Sequence, residues 1–296
     1  MLKNLLYLPL IISLAVSCNF RKSIKKDLTT GMTSRGDGLS CDDIYLTSDN
    51  EKINRNEFTF GEKIIINFNN VEGFTKTGQQ AFPGMEMLLT NNAGDTLFYE
   101  PDLMEEVADP VTQEVLLLKG YLTIGNPIFS NAKESYKVKV HIWDKKGKGT
   151  FDSELEFTVK PNPAITSTTN GITYNEIYLY DPATKACLTS GLIPQSRDIL
   201  IIYDGLKGFK TDANGLCNMG LLMEATDKTG RLILLEEDLL KDNPQPDPAN
   251  SEEPFISTIA FTAGEKVQSP IHLKTVIWDK SGNGRIVTTM KLELAH

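Results

Sequence analysis

The chain has 296 residues, room for about two domains of ordinary size, each able to bury its own core. Hydrophobic residues make up 40% and charged residues 23%, the balance of a folding chain and not of a disordered one. The net charge of -9 excludes general nucleic-acid affinity, which needs a concentrated basic face.

Met1 and Lys3 open the chain, and an apolar run from Leu5 to Val16 follows, interrupted by Pro9 and Ser13. The run is too short to cross a bilayer and ends in small residues before a cysteine, so residues 1–17 read as a cleaved signal segment. The stretch Leu14-Ala15-Val16-Ser17-Cys18 resembles the lipobox of bacterial lipoproteins, with Ala15 where leucine is usual. That resemblance implies acylation of Cys18 and attachment to a membrane, which several acyl chains make stable. An ordinary secretory signal with an unrelated cysteine is the other reading. Residues 18–40 are expected to be the lipidated cysteine and a flexible tether, because Gly, Ser and Thr crowd the second half. Arg21, Lys22, Lys25 and Lys26 against Asp27 make the first half basic, so it is either drawn to anionic headgroups or simply solvated. No acidic cluster follows Cys18 of the kind that resembles a lipoprotein surface-export signal, which favours the periplasmic face of an outer membrane.

The remainder repeats itself. Ile44-Tyr45-Leu46 matches Ile177-Tyr178-Leu179 at an offset of 133, and Ile64 to Phe68 matches Ile199 to Tyr203 at 135. Gly73-Phe74 matches Gly208-Phe209, Asp102-Leu103 matches Asp238-Leu239, and Trp143-Asp144 matches Trp278-Asp279. One register with small shifts is what loop insertions leave in a duplicated domain. The copies are expected at residues 41–160 and 172–296. Residues 161–171, rich in Pro, Ser, Thr and Asn, read as the linker between them.

Within each copy the apolar segments are short, β-branched or aromatic, and bounded by turn residues. In the second, strands are expected near 175–180, 198–204, 219–226, 231–235, 255–262, 271–279 and 285–294. Asp102 to Glu106 and Glu236 to Lys241 are expected to form single helical turns. The strand from Tyr136 to Asp144, its Asp-x-x-Gly turn and the strand from Phe151 to Val159 resemble the terminal hairpin of bacterial immunoglobulin-like modules. The fold expected is therefore all-β: two tandem Ig-like β-sandwich domains related by internal repeat, after a lipoprotein signal and tether.

Candidate chemistry is sparse. Asp279, Ser281 and Asn283 have the spacing of the first ligands of a calcium loop, but Arg285 follows, and the first copy puts Lys146 and Lys148 at the matching positions. A hairpin turn explains the same residues. Cys187 and Cys217 both lie in the second copy and could bridge in an oxidising envelope. The chain holds three histidines, none at metal-binding spacing, and no nucleophile elbow or phosphate loop. No cofactor or enzyme activity is implied. Strict alternation puts Trp143 with Lys139 and His141, and Trp278 with Lys274, on the charged side of equivalent strands. These five residues are the candidate interaction surface, the tryptophans being either exposed aromatic platforms or residues covered by a bulge, a flanking loop or the neighbouring domain, since tryptophan is usually well buried. The expected function is a non-catalytic scaffold or protein-interaction lipoprotein of the cell envelope, its partners the membrane and another envelope protein. The alternative is a glycan-binding envelope lipoprotein that uses the tryptophans as aromatic platforms.

Overall fold

The computed structural model describes residues 22–105, 116–125, 135–241, 243–251, 253–261 and 267–295. The signal segment, Cys18 and His296 lie outside the described residues. The first copy contains β1 (Lys22–Lys26), β2 (Thr33–Asp37), β3 (Ser40–Ser48), β4 (Glu51–Ile53), β5 (Glu57–Thr59), β6 (Lys63–Glu72), β7 (Pro83–Asn91), β8 (Thr96–Glu100), β9 (Leu118–Thr123), β10 (Ser135–Asp144) and β11 (Thr150–Lys160). The second contains β12 (Ile165–Asn170), β13 (Glu176–Asp181), β14 (Ala186–Leu188), β15 (Leu192–Pro194), β16 (Ile199–Asp204), β17 (Leu216–Cys217), β18 (Met219–Thr226), β19 (Leu232–Glu236), β20 (Gln245–Pro246), β21 (Phe255–Ile259), β22 (Ile271–Asp279) and β23 (Arg285–Ala295).

Each copy is a two-sheet sandwich with the same core connectivity, to which the first adds β1 and the second a separate two-stranded pair, β17 with β20. The larger sheets run β1-β2-β11-β10-β7-β8 and β12-β23-β22-β18-β19, with β5 and β15 added parallel to β11 and β23. The smaller sheets run β4-β3-β6-β9 and β14-β13-β16-β21. This is the two-sheet arrangement of immunoglobulin-like sandwiches. The cores follow from period-two alternation: Tyr136, Val138, Val140 and Ile142 of β10 lie beside Phe151, Leu155, Phe157 and Val159 of β11 on the inner face of the larger sheet, in one core with Leu46 of β3 and Ile64, Ile66 and Phe68 of β6. In the second copy Ile271, Leu273 and Ile277 of β22 meet Ile286, Met290 and Leu292 of β23 in the same way.

Three segments depart from the sequence reading. The supposed tether is strand from residue 22: β1 pairs β2, and β2 pairs β11 in register from Thr150↔Asp37 to Glu154↔Thr33. Ser34 and Gly36 of β2 are buried while Thr33, Arg35 and Asp37 are exposed, a half-buried strand whose small inward residues disguise its period. The supposed linker likewise contains β12, which pairs β23 from Ile165 to Asn170. The join is only residues 161–164, and the Asn162 amide ties it down by donating to the Leu188 carbonyl at 2.7 Å. The expected helical turn after β8 is instead a tight turn drawn onto β7. Leu103 N donates to the Met85 carbonyl at 2.7 Å, and the Asp102 carboxylate accepts from Met85 N and Met104 N. The same contacts recur around Asp238, Leu239 and Leu221.

The two sandwiches touch at the join. The rings of Phe60 and Tyr178 pack with centroids 5.0 Å apart, and Tyr178 lies against the first core. Gly61, at φ +92, lies so close to Cys187 that an added Cβ would fall 2.3 Å from the cysteine's own.

Candidate functional site

The outer faces of the two larger sheets carry the residues singled out from the sequence. Trp143 of β10 stands opposite Gly84 of β7 and Thr150 of β11, and Trp278 of β22 stands opposite Gly220 of β18 and Arg285 of β23. A Cβ on either glycine would lie 2.1 Å from the indole, so each ring lies flat across a bare stretch of neighbouring backbone. Glycine is what lets a large aromatic fold down there. Trp143 also stacks on His141, with ring centroids 5.7 Å apart and an interplanar angle of 18°. The cover over one side of each tryptophan is thus the sheet itself.

Around Trp143 the face is built of charge. His141 Nδ1 lies 2.7 Å from the Asp152 carboxylate, Lys139 lies 3.4 Å from Glu154, and Lys137 reaches Glu154 at 3.0 Å and Glu156 at 2.9 Å. Glu86 on β7, His141 on β10, Asp152 on β11 and Arg35 on β2 follow one another across four strands in register. With Ile24 and Leu88 they border a groove of about 550 Å³. Exposed pairs of this kind contribute little to stability.

In the second copy the equivalent row is mostly apolar, with Thr168 of β12 standing where the first copy has Arg35. Leu222 of β18, Val276 of β22 and Val287 of β23 replace Glu86, His141 and Asp152. Leu222, Val276 and Trp278 border a groove of about 380 Å³ that Asn283 and the exposed Arg285 close at one end. Lys274 lies 3.9 Å from Glu224, at the edge of this face. The register therefore brings Lys139, His141 and Trp143 together in one copy, and Lys274 and Trp278 in the other.

The Asp-x-x-Gly turns are occupied by the fold. Asp144 accepts from Thr75 N at 2.7 Å and Lys146 N at 2.9 Å, and Asp279 accepts from Lys210 N at 3.0 Å and Ser281 N at 2.9 Å. Burial alone would raise the Asp144 carboxyl, but these backbone hydrogen bonds outweigh it and hold the carboxyl below its ordinary range. Asp279, Ser281 and Asn283, the residues with calcium-loop spacing, all belong to this turn. The carboxylate is buried and points both oxygens at backbone N–H groups of its own turn and of the chain at Lys210. No group of three or more His, Cys, Asp or Glu side chains among the described residues is arranged to hold a metal ion. Beside each turn a lysine reaches the carboxylate that anchors the loop after the edge strand: Lys145 to Asp102 and Lys280 to Asp238, both at 2.6 Å.

The Cys187–Cys217 bridge is also corrected: both thiols are free. Cys187, on β14, faces Gly61 of the first sandwich, while Cys217, on β17, is buried beside the carbonyl of Pro246. Burial pushes each thiol up to about 11.

Sequence reasoning missed Glu86, Arg35, Asp152, Leu222 and Val287, and met Arg285 only as the residue after the turn, because cross-strand neighbours are set by register. One signal was available: Gly84 and Gly220 occur at the same place in the two copies, as the tryptophans do.

No protein-family model and no curated protein matches the chain. Among solved structures, the C-terminal domain of wzt is similar over 47% of this chain and 78% of its own, at 12% identity and a TM-score of 0.31. Fibronectin(III)-like modules of CbhA from Clostridium thermocellum are similar over 84% of this chain and 95% of their own, at 10% identity and a TM-score of 0.20. Dimeric latent PorU from Porphyromonas gingivalis is similar over 87% of this chain and 20% of its own, at 10% identity and a TM-score of 0.26. None of these likenesses bears on what this chain binds.

Proposed function

We propose that the protein is a non-catalytic, lipid-anchored module of the bacterial cell envelope, held by Cys18 in an outer membrane, that binds another envelope protein through the outer faces of its larger sheets. The observation that carries this reading is how the two copies divide their residues. What they share holds the fold: Trp143 and Trp278 on their glycines, Asp144 and Asp279 in their turns, and the Lys–Asp pairs behind the edge strands. On the outer face they differ, with a charged row in the first copy and a mostly apolar row in the second. A duplicated scaffold that keeps its supports and diversifies one face is a binding architecture.

The test is photo-crosslinking in the intact cell. A photoreactive phenylalanine analogue at Lys139, or at Thr289, which is exposed on β23 opposite Lys274, is expected to give discrete adducts. The same analogue at the exposed Tyr121, on the smaller sheet, is the control. Equal labelling at all three sites, or none, contradicts the reading.

Glycan capture is the second reading, favoured by one feature: Trp278 lines a groove that also presents Arg285 and Asn283. It requires that Arg285→Ala weakens binding on a glycan array while leaving the unfolding midpoint in place. Unchanged glycan binding, or none in the parent protein, rejects it.

A further inference from the structure

Half of the exposed large apolar side chains among the described residues sit at two equivalent places. Phe98, Tyr99 and Leu103 are 37%, 53% and 37% exposed on and after β8, and Leu232, Leu235 and Leu239 are 52%, 46% and 47% exposed on and after β19. Both strands end their sheets, so one side of each presents backbone N–H and C=O groups with no strand beside them among the described residues. Native edges are usually guarded by lysine, proline or an inward charge. Thr-Leu-Phe-Tyr-Glu and Leu-Ile-Leu-Leu-Glu hold neither lysine nor proline, and their protection is limited to one bulge and the terminal Glu100 or Glu236 of each. A register shift between Ala225 and Thr226 makes Ile233 an extra residue. Leu232 opposes Thr226 and Leu235 opposes Glu224, so both leucines stand on the outer face.

We propose that β19 is the docking edge for a second copy of this chain, joined edge to edge in antiparallel fashion about a two-fold axis. An axis between Ile233 and Leu234 sets Leu232 of each copy opposite Leu235 of the other. It also sets Arg231 opposite Glu236, so every flanking pair is apolar with apolar or positive with negative. The same operation on β8 sets Thr96 opposite Tyr99 and Asp95 opposite Glu100, acid against acid at both ends. The complementarity thus selects β19 and rejects β8, and a single self-complementary edge closes into a dimer where two would build a fibre. Arg231 already lies 3.1 Å from Asp227, so Glu236 of the second copy would extend an existing pair.

Two five-residue edges fall short of the roughly 1,000 Å² that a stable interface needs. Confinement of both copies to one membrane supplies the missing affinity by raising their effective concentration. In that respect the proposal rests on the lipid-anchored reading above.

The test uses the full chain in its own membranes. Leu232→Cys and Leu235→Cys are expressed separately and together, oxidised, and run without reductant. The combination is expected to give dimer-sized product at least about tenfold above either variant alone. Opposed residues lie within disulfide reach, whereas residue 232 of each copy would be about 10 Å apart, beyond the ~7 Å limit. The unsubstituted chain, with Cys41, Cys187 and Cys217 free, sets the background. Leu232 and Leu235 are exposed, so neither substitution threatens folding. Equal product in all arms, no product in the mixture, or an adduct with a different protein overturns the pairing. The mass of the mature N-terminus from the same membranes separates the two ideas. Acylated but uncrosslinked chains reject the dimer alone, and unacylated Cys18 rejects the anchor alone.

Discussion

Gly84 and Gly220 lie beneath indole rings, and a methyl group at either would occupy the space of the ring. Gly84→Ala and Gly220→Ala are therefore expected to lift Trp143 and Trp278, at a cost of about 1–3 kcal/mol each. Chemical denaturation followed by tryptophan emission reads both effects, and an unchanged midpoint would show that the rings do not depend on the glycines. Glu176 of β13 is the other residue with a definite consequence. Burial pushes its carboxyl up to about 7; the N–H of Ile177 pulls it back, and Asp204 adds to the rise. The folded state therefore holds a proton that the unfolded chain releases above its value of 4.5. Stability is unaffected below about pH 4.5, falls as pH rises to about 7, and stays lower above. Glu176→Gln is expected to flatten that fall, which at its steepest is ~1.4 kcal/mol per pH unit, and to stabilise the protein at pH 8. A variant with the parent's slope between pH 4.5 and 7 would contradict this. Asp102, Asp144 and Asp238 act in the opposite sense. Burial raises each carboxyl, but hydrogen bonds or a lysine outweigh it, so what they contribute is present above the ordinary carboxylate range and lost in acid.

Among the elements, the terminal hairpins were readable, because Tyr136, Val138, Val140 and Ile142 alternate without interruption into an Asp-x-x-Gly turn. β2 and β12 were not. Thr-Ser-Arg-Gly-Asp and Ile-Thr-Ser-Thr-Thr-Asn have the composition of linkers, and only pairing with the long strands β11 and β23 makes them strands. Tertiary context decides β-structure in such polar segments. The join between sandwiches was hidden for a related reason: Phe60, Gly61, Tyr178 and Cys187 are far apart in sequence. Gly61 combines a positive φ with direct approach to Cys187, so Gly61→Ala is expected to open the join. Small-angle scattering would then show a larger radius, and limited proteolysis would cut faster at residues 161–164. An unchanged profile in both would mean that the Asn162 hydrogen bonds alone fix the join.

At the scale of the whole molecule, the duplication was legible in Trp-Asp, Gly-Phe and Asp-Leu pairs that recur in one register. The candidate site was legible only in part. Alternation placed the tryptophans on the outer face, but their neighbours Gly84, Glu86 and Leu222 come from strands whose register no local pattern specifies. The copies have also diverged inside. The Tyr203 hydroxyl is hydrogen-bonded to Thr275 in the second core, where the first has Phe68 and Val140 at the same places. In the proposed function the shared residues hold the fold and the divergent outer rows bind. Glu86→Leu with Asp152→Val converts the first row toward the second without touching the core. The direct measurement is the yield of the photo-adduct formed from Lys139 in that variant, taken alongside its unfolding midpoint. Loss of the adduct is expected, with stability within about 0.5 kcal/mol of the parent. A full-strength adduct in a stable variant would contradict it.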